Sequence, residues 1–251
     1  MQKFLIETFR GKVIHDFVFQ LTLAQPYYGW LDEAFTIRGH ENNGFDDIKA
    51  PDKYVPVGSV EFVAAYLQRF YPEREDALRP LNVPECLFPF AGRRIVNVWY
   101  SEDYRPLKGI KNVYAKSMDT IKDQFNGPYY DVPANYEWKD FQHCQVSELI
   151  GIESEWRVFV FHNKILGIAN YSGFPLLFPD AEAIREMTKA YAEEAPVAYT
   201  LDVAYTNNGD TVPIECHRFF SCGLYGFTDL VRYPKMLSQA WFEMIHPKNT
   251  P

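Results

Sequence analysis

Apolar and polar positions alternate or recur at characteristic spacings along most of this chain, and they divide it into short elements. Near the amino end, Lys3–Phe9, Val13–Thr22 and Ala34–Arg38 read as β-type runs, and residues 41–57, rich in turn formers and carrying two prolines, read as loop. Ser59 is placed to cap a helix whose amphipathic body runs from Phe62 to Phe70 and stops before Pro72. Pro72, Pro80, Pro84 and Pro89 then punctuate a connector over residues 72–92. Beyond it, Arg93–Tyr100, Asn112–Lys116 and the stretch from Trp138 to Ile150, with its run Gln145–Ile150, predict strands.

The carboxyl-terminal half is more regular. Glu155–Phe161 and Lys164–Tyr171 predict a hairpin over His162-Asn163, with Glu155, Arg157 and Phe159 on one face. Asp180 caps a predicted helix to Glu194, with Ala181, Ile184, Met187, Thr188 and Tyr191 on one stripe. Tyr199–Tyr205 and Thr211–Cys216 flank Asn207-Asn208-Gly209-Asp210, a strong hairpin turn signal, and a last helix is expected around Asp229–Ile245. Hairpins mixed with helices indicate an α+β architecture.

That second hairpin holds the most pointed chemistry. Antiparallel pairing would bring Asp202 close to Glu215 and to His217, which shares a strand face with Glu215. Adjacent carboxylates repel unless a cation or proton neutralises them, and oxygen donors suit Mg²⁺. Arg157 next to Glu155 can orient a phosphate or carboxylate, or form a plain surface ion pair. Lys116 and Lys122 bracket a strand end where an ammonium can meet phosphate, although a solvated lysine is the commoner case. The apolar run with Glu148, Leu149 and Ile150 could present its backbone to an adenine edge, or could be a strand with one polar face.

Composition narrows the setting. The chain has 251 residues, 47% hydrophobic and 23% charged, enough for one large domain or two small lobes. A net charge of −8 argues against a nucleic-acid-coating protein. No apolar run approaches the roughly 18 residues of a membrane helix, so no membrane partner is expected and a cytoplasmic setting is. Cys86, Cys144, Cys216 and Cys222 have no metal-finger spacing and read as reduced thiols. Neither a P-loop nor GxGxxG, GxSxG or HExxH motifs occur.

The order of these pieces resembles the ATP-grasp superfamily: a lysine at a strand end, an apolar hinge with a glutamate, Glu155-x-Arg157, Asp202, then Glu215-x-His217 and a glycine turn. It is similar to the ribosomal-protein glutamate-ligase branch. Within the superfamily it looks most like a clade of bacteriophage and bacterial genomes in which an arginine replaces the first ATP-binding lysine. Val55-Pro-Val-Gly-Ser-Val-Glu61, Asn82-Val-Pro-Glu85 and Gly223-Leu-Tyr-Gly226 carry that likeness, which covers about residues 55–235.

The resemblance implies two lobes with antiparallel sheets and helices closing over a nucleotide cleft, with residues 1–90 as a substrate lobe preceding the ATP-grasp lobes at 91–251. It implies ATP and Mg²⁺ as cofactors. Arg94, Lys116, Glu148, Leu149 and Ile150 would bind ATP, Asp202, Glu215 and His217 the metal, and Arg157 and Glu155 would serve catalysis. His217 stands where the family usually has asparagine, and Met118–Gly127 would serve as the phosphate loop. The implied reaction joins a carboxylate to an amine through an acyl-phosphate, the acceptor being an amino acid, peptide, protein or nucleic-acid base. If phage-encoded, the protein would work in the host cytoplasm. The alternatives are a catalytically silent nucleotide-binding or phage–host interaction protein, and a metal-dependent hydrolase using His217 as base.

Overall fold

The computed structural model describes residues 2–31, 34–99, 112–119, 127–129 and 143–246. Lys122, Tyr100, Trp138 and most of the expected phosphate loop, residues 120–126, lie outside them.

Three sheets organise the chain. The first is parallel: β1 (Gln2–Glu7) lies between β2 (Phe35–His40) and β3 (Tyr54–Val57). Two expectations are corrected here. Val13–Thr22 is not a strand, because parallel β1 and β2 need a crossover and Asp16–Tyr28 supplies it as helix α1. The expected loop at 41–57 ends in β3, which tolerates Pro56 because it is an edge strand. Helix α2 (Val60–Phe70) follows as expected, with the Ser59 hydroxyl accepting the Phe62 amide.

The second sheet is antiparallel, in the order β4 (Ile95–Trp99), β7 (His143–Glu148), β5 (Val113–Ser117), β6 (Gly127–Tyr129). The third, also antiparallel, runs β11 (Thr211–Arg218), β10 (Ala198–Thr206), β8 (Ile152–Phe161), β9 (Lys164–Gly173). The β8–β9 turn is made by His162 and Asn163, both at positive φ, as a two-residue hairpin requires.

Strand alternation splits the third sheet cleanly. Trp156, Val158, Val160, Leu201 and Val203 pack beneath helix α3 (Ala181–Tyr191), whose Ile184, Met187 and Tyr191 form the predicted stripe. Phe159 and Phe161 face the opposite way, into a core shared with β1, α1, α2 and helix α4 (Tyr233–Ile245). The second and third sheets are stitched together by the proline-punctuated connector. Asn82 donates to Ser117 O and its carbonyl accepts the Cys216 amide, while the buried Gln145 amide pairs both ways with the Val83 backbone. All four cysteines are free thiols, three of them buried. Among the described residues no helix is long and apolar enough to cross a membrane.

Candidate active site

A row of charged side chains crosses the third sheet, set by strand register. Arg157 on β8 lies opposite Asp202 on β10, and Asp202 lies opposite Glu215 on β11. The register shifts between Asp202 and Val203, leaving Ile214 without a partner. Without that bulge Ile214 would face Asp202, and Glu215 would point to the other side of the sheet.

Arg157 and Asp202 form a buried two-point ion pair, Nε to Oδ1 at 2.8 Å and Nη2 to Oδ2 at 2.7 Å. Arg157 Nη1 donates to Gly223 O at 3.2 Å, and its guanidinium lies 5.6 and 5.2 Å from the ring centres of Tyr171 and Tyr225. Burial works against this cation, but the hydrogen bonds and charge of Asp202 outweigh it and raise its pKa.

Glu215 is the meeting point. One oxygen accepts from Lys116 Nζ, and the other lies 2.6 Å from His217 Nε2. Burial alone would raise the Glu215 pKa; the His217 hydrogen bond and the Lys116 charge override it and hold the carboxyl well below the usual range. Donor atoms of Asp202, Glu215 and His217 all lie within 4.8 Å of one another. Two ionised oxygen donors suit a hard divalent cation, and the imidazole is the softer member. The donor set fits Mg²⁺.

Two clefts, each of about 390 Å³, meet at the Lys116–Glu215 pair. The first is lined by Glu148, Leu149, Ile150, Tyr114, Glu155 and Ile214. Glu155 there accepts from the Tyr171 hydroxyl at 2.9 Å and is not the partner of Arg157. The second holds Arg157, His217, Ser221, Gly223, Tyr225 and Arg79.

Most of the expected site residues thus converge, with one neighbour exchanged. Arg94 has an exposed side chain and lines neither cleft; its backbone amide donates to Glu148 Oε2 at 2.9 Å. Arg93 lines the first cleft instead, its Nη1 donating to the Ala91 and Pro213 carbonyls, with burial lowering its pKa to about 10. An adjacent arginine pair gives no sequence signal for which member turns inward. The flanking Tyr171 and Tyr225 were also not expected, since Tyr171 reaches its place through two bulges in the β8–β9 ladder.

Comparison with known proteins supplies the family and the fold. Residues 90–235 match the family model for an ATP-grasp domain, family 2 of the arginine-for-lysine clade. The sequence has no match among curated proteins. In fold it is similar to D-cycloserine synthetase DcsG, at 11% identity and a TM-score of 0.61, over 95% of this chain and 99% of that one. D-alanine–D-alanine ligase from Bacillus anthracis complexed with ATP aligns over the full length of both chains, at 9% identity and a TM-score of 0.53. A RimK domain ATP-grasp protein from Sphaerobacter thermophilus aligns over 97% of both, at 14% identity and a TM-score of 0.53. The chain belongs to the ATP-grasp superfamily, in the second family of its arginine-for-lysine clade.

Proposed function

We propose that this ATP-grasp ligase makes a C–N bond between a carboxylate and an amine through an acyl-phosphate formed where the two clefts meet. The observation that carries this reading is the continuity of the clefts. A hinge at Glu148–Ile150 opens one, Arg157 lies in the other, and Lys116 and Glu215 line both.

In this reading ATP occupies the first cleft, with Glu148, Leu149 and Ile150 against the base and Arg93 and Lys116 toward the phosphates. Asp202, Glu215 and His217 would hold Mg²⁺, which supplies charge neutralisation for the phosphates. A carboxylate oxygen of the substrate takes the γ-phosphoryl group and ADP leaves. The amine nitrogen then attacks the acyl carbon, phosphate departs with the bonding pair, and the nitrogen gives up a proton to leave an amide. Arg157, fixed by Asp202 and Gly223, presents its charge where negative charge gathers on the transferred group. Residues 1–90 form the substrate-side lobe of the reading and 91–251 the nucleotide and metal lobes. A peptide acceptor has support in the fold likeness to the ligase PsnB complexed with a minimal precursor, at 11% identity and a TM-score of 0.52.

The test is ADP and phosphate release from ATP with paired panels of carboxylates and amines, with Mg²⁺ or EDTA. Release that needs acid, amine and Mg²⁺ together, and that Glu215→Ala abolishes, is the expected outcome. Release that ignores both acid and amine would mean a hydrolase, and an unimpaired Glu215→Ala would sink the metal assignment.

A further inference from the structure

Helix α1 is apolar on all sides. No charged residue occurs from Phe17 to Leu31, a stretch that takes in nearly all of α1 and the 3₁₀ turn Gly29–Leu31 after it. Its inner face, with Phe17, Val18, Leu21, Ala24 and Tyr28, belongs to the core it shares with β1, β2 and α4. Two hydroxyls fix that face: Tyr28 donates to Val231 O at 2.6 Å, and Tyr233 donates to Phe17 O at 2.8 Å. The outer face is a second apolar stripe, where a surface helix ordinarily carries charge. Phe19, Leu23 and Tyr27 recur every four residues and so form one ridge. Trp30 continues it, its ring centre 5.8 Å from that of Tyr27. Ile14 begins it, because the residue before a helix cap lies beside the fourth helical residue, here Phe19.

Trp30 is 85% exposed, and Ile14, Phe19, Leu23, Tyr27 and Leu31 are between 44% and 56% exposed. At roughly 150–250 Å² for a whole aromatic side chain, these residues together present on the order of 600 Å² of largely apolar surface. A stable interface takes about 800 Å² from each partner, so the stripe with its flanking Thr22 and Pro26 supplies most of one half. A helix apolar all round is ordinarily a covered helix, and one of 13 residues is too short to span a bilayer, which needs about 20. A helix lying on a membrane surface carries lysine and arginine on its polar side. Helix α1 has neither, and the net charge of −8 opposes an anionic surface. A second copy of the chain suits the face better. An uncharged stripe can oppose its own image without like-charge repulsion, and ridges spaced every four residues interlock when two helices cross at roughly 50°.

We propose that the outer face of α1 is a self-association surface, on which a second copy of this chain docks to form a two-fold dimer. The same patch serves both copies, with Leu23 at the middle of the ridge nearest the axis and the Trp30 end of one helix toward the Ile14 end of the other. No α1 residue lines either cleft, so pairing at this face uses none of the groups that line the site. Self-association is in this sense independent of the ligase activity.

Sedimentation velocity of the full chain, from nanomolar to high micromolar concentration, tests this. The expected result is a concentration-dependent shift to twice the mass of the chain. Leu23→Glu puts a carboxylate into the middle of the contact on each copy, and should weaken the dimer at least about a hundredfold. At concentrations where the wild type is monomeric, the variant should melt with it, because Leu23 lies on the outer face. If Leu23→Glu does not fold, the combined Phe19→Ser and Leu23→Ser variant, which adds no charge, decides in its place. A wild-type chain that stays monomeric across the whole range overturns the inference. A dimer that Leu23→Glu leaves intact also overturns it, since its contact would lie on another face. A monomer that pellets with phosphatidylcholine–phosphatidylglycerol vesicles, and no longer does so in Trp30→Ser, would give the face to a lipid surface and overturn it as well.

Discussion

The β8–β11 sheet and the β4–β7 sheet both contribute walls to the first cleft, yet they hold their charges in different ways. Arg157 and Asp202 on the former are nearly closed off from solvent, with side chains 8% and 1% exposed, and they satisfy one another through two hydrogen bonds. Lys116 and Glu148 on the latter are half-buried, and Lys116 reaches across the gap to Glu215 on the other sheet. One sheet is a rigid platform whose charges are part of its core; the other presents charges whose partners lie on a different element. A buried pair costs a great deal to break, whereas a pair that spans a cleft can exchange partners when a phosphate or metal arrives.

The sharpest way to break this contrast is to remove one side of the buried pair. Asp202→Asn leaves the Arg157 charge inside the protein without its counter-charge, and should cost on the order of 3–5 kcal/mol in denaturant unfolding. Arg157→Gln alone should be similarly damaging, and the double substitution should recover part of the loss, because neither charge then stays uncompensated. A double variant that simply adds the two losses would show that the pair does not act as a unit. Loss of activity in Asp202→Asn is for this reason not a clean sign of metal ligation.

Lys116→Gln sharpens the other side of the comparison. Because Glu215 keeps His217 and the lysine is half-buried, stability should change by roughly 1 kcal/mol or less. Turnover should fall by on the order of 10²-fold, the scale of losing a preorganised group at developing phosphoryl charge. Equal effects on stability from Lys116→Gln and Asp202→Asn would erase the distinction between the two sheets.

The same contrast marks what could be read from the sequence. Around the hairpin turns the sequence was informative: the Asn207–Asp210 turn and the two-strand pattern brought Asp202, Glu215 and His217 together. They meet through a bulge at Ile214 that no period-two count shows, since an unbulged ladder would set Ile214 opposite Asp202. Likewise, a regular ladder from His162-Asn163 would pair Glu155 with Asn170, whereas Glu155 pairs with Ser172. That shift accompanies the placement of Tyr171 beside both Arg157 and Glu155. The amino-terminal layer was hardest to read, because Val13–Thr22 has the composition of a strand and becomes helix only through the parallel pairing of β1 with β2. Arg93 and Arg94 both precede β4, and which of them turns inward is a matter of tertiary packing.

The smallest effect tests whether Glu215 owes its charge state to the opposing sheet. Its folded pKa lies below that of the unfolded chain because His217 and Lys116 favour the ionised form over the cost of burial. The sign follows: the carboxylate contributes stability that is complete above the unfolded value of about 4.3 and is lost as pH falls through the lower folded value. Wild-type protein should therefore melt above Glu215→Gln by roughly 2–4 °C at pH 7 for each kcal/mol contributed. The gap should hold down to about pH 4.5 and narrow below it. In a Lys116→Gln background the gap at pH 7 should shrink, because one of the two groups that hold the carboxylate ionised is gone. Melting curves of the four proteins between pH 7 and pH 3.5 give the comparison. A gap unchanged by Lys116→Gln would place the control of Glu215 within its own sheet, at His217, and remove the opposing sheet from the account.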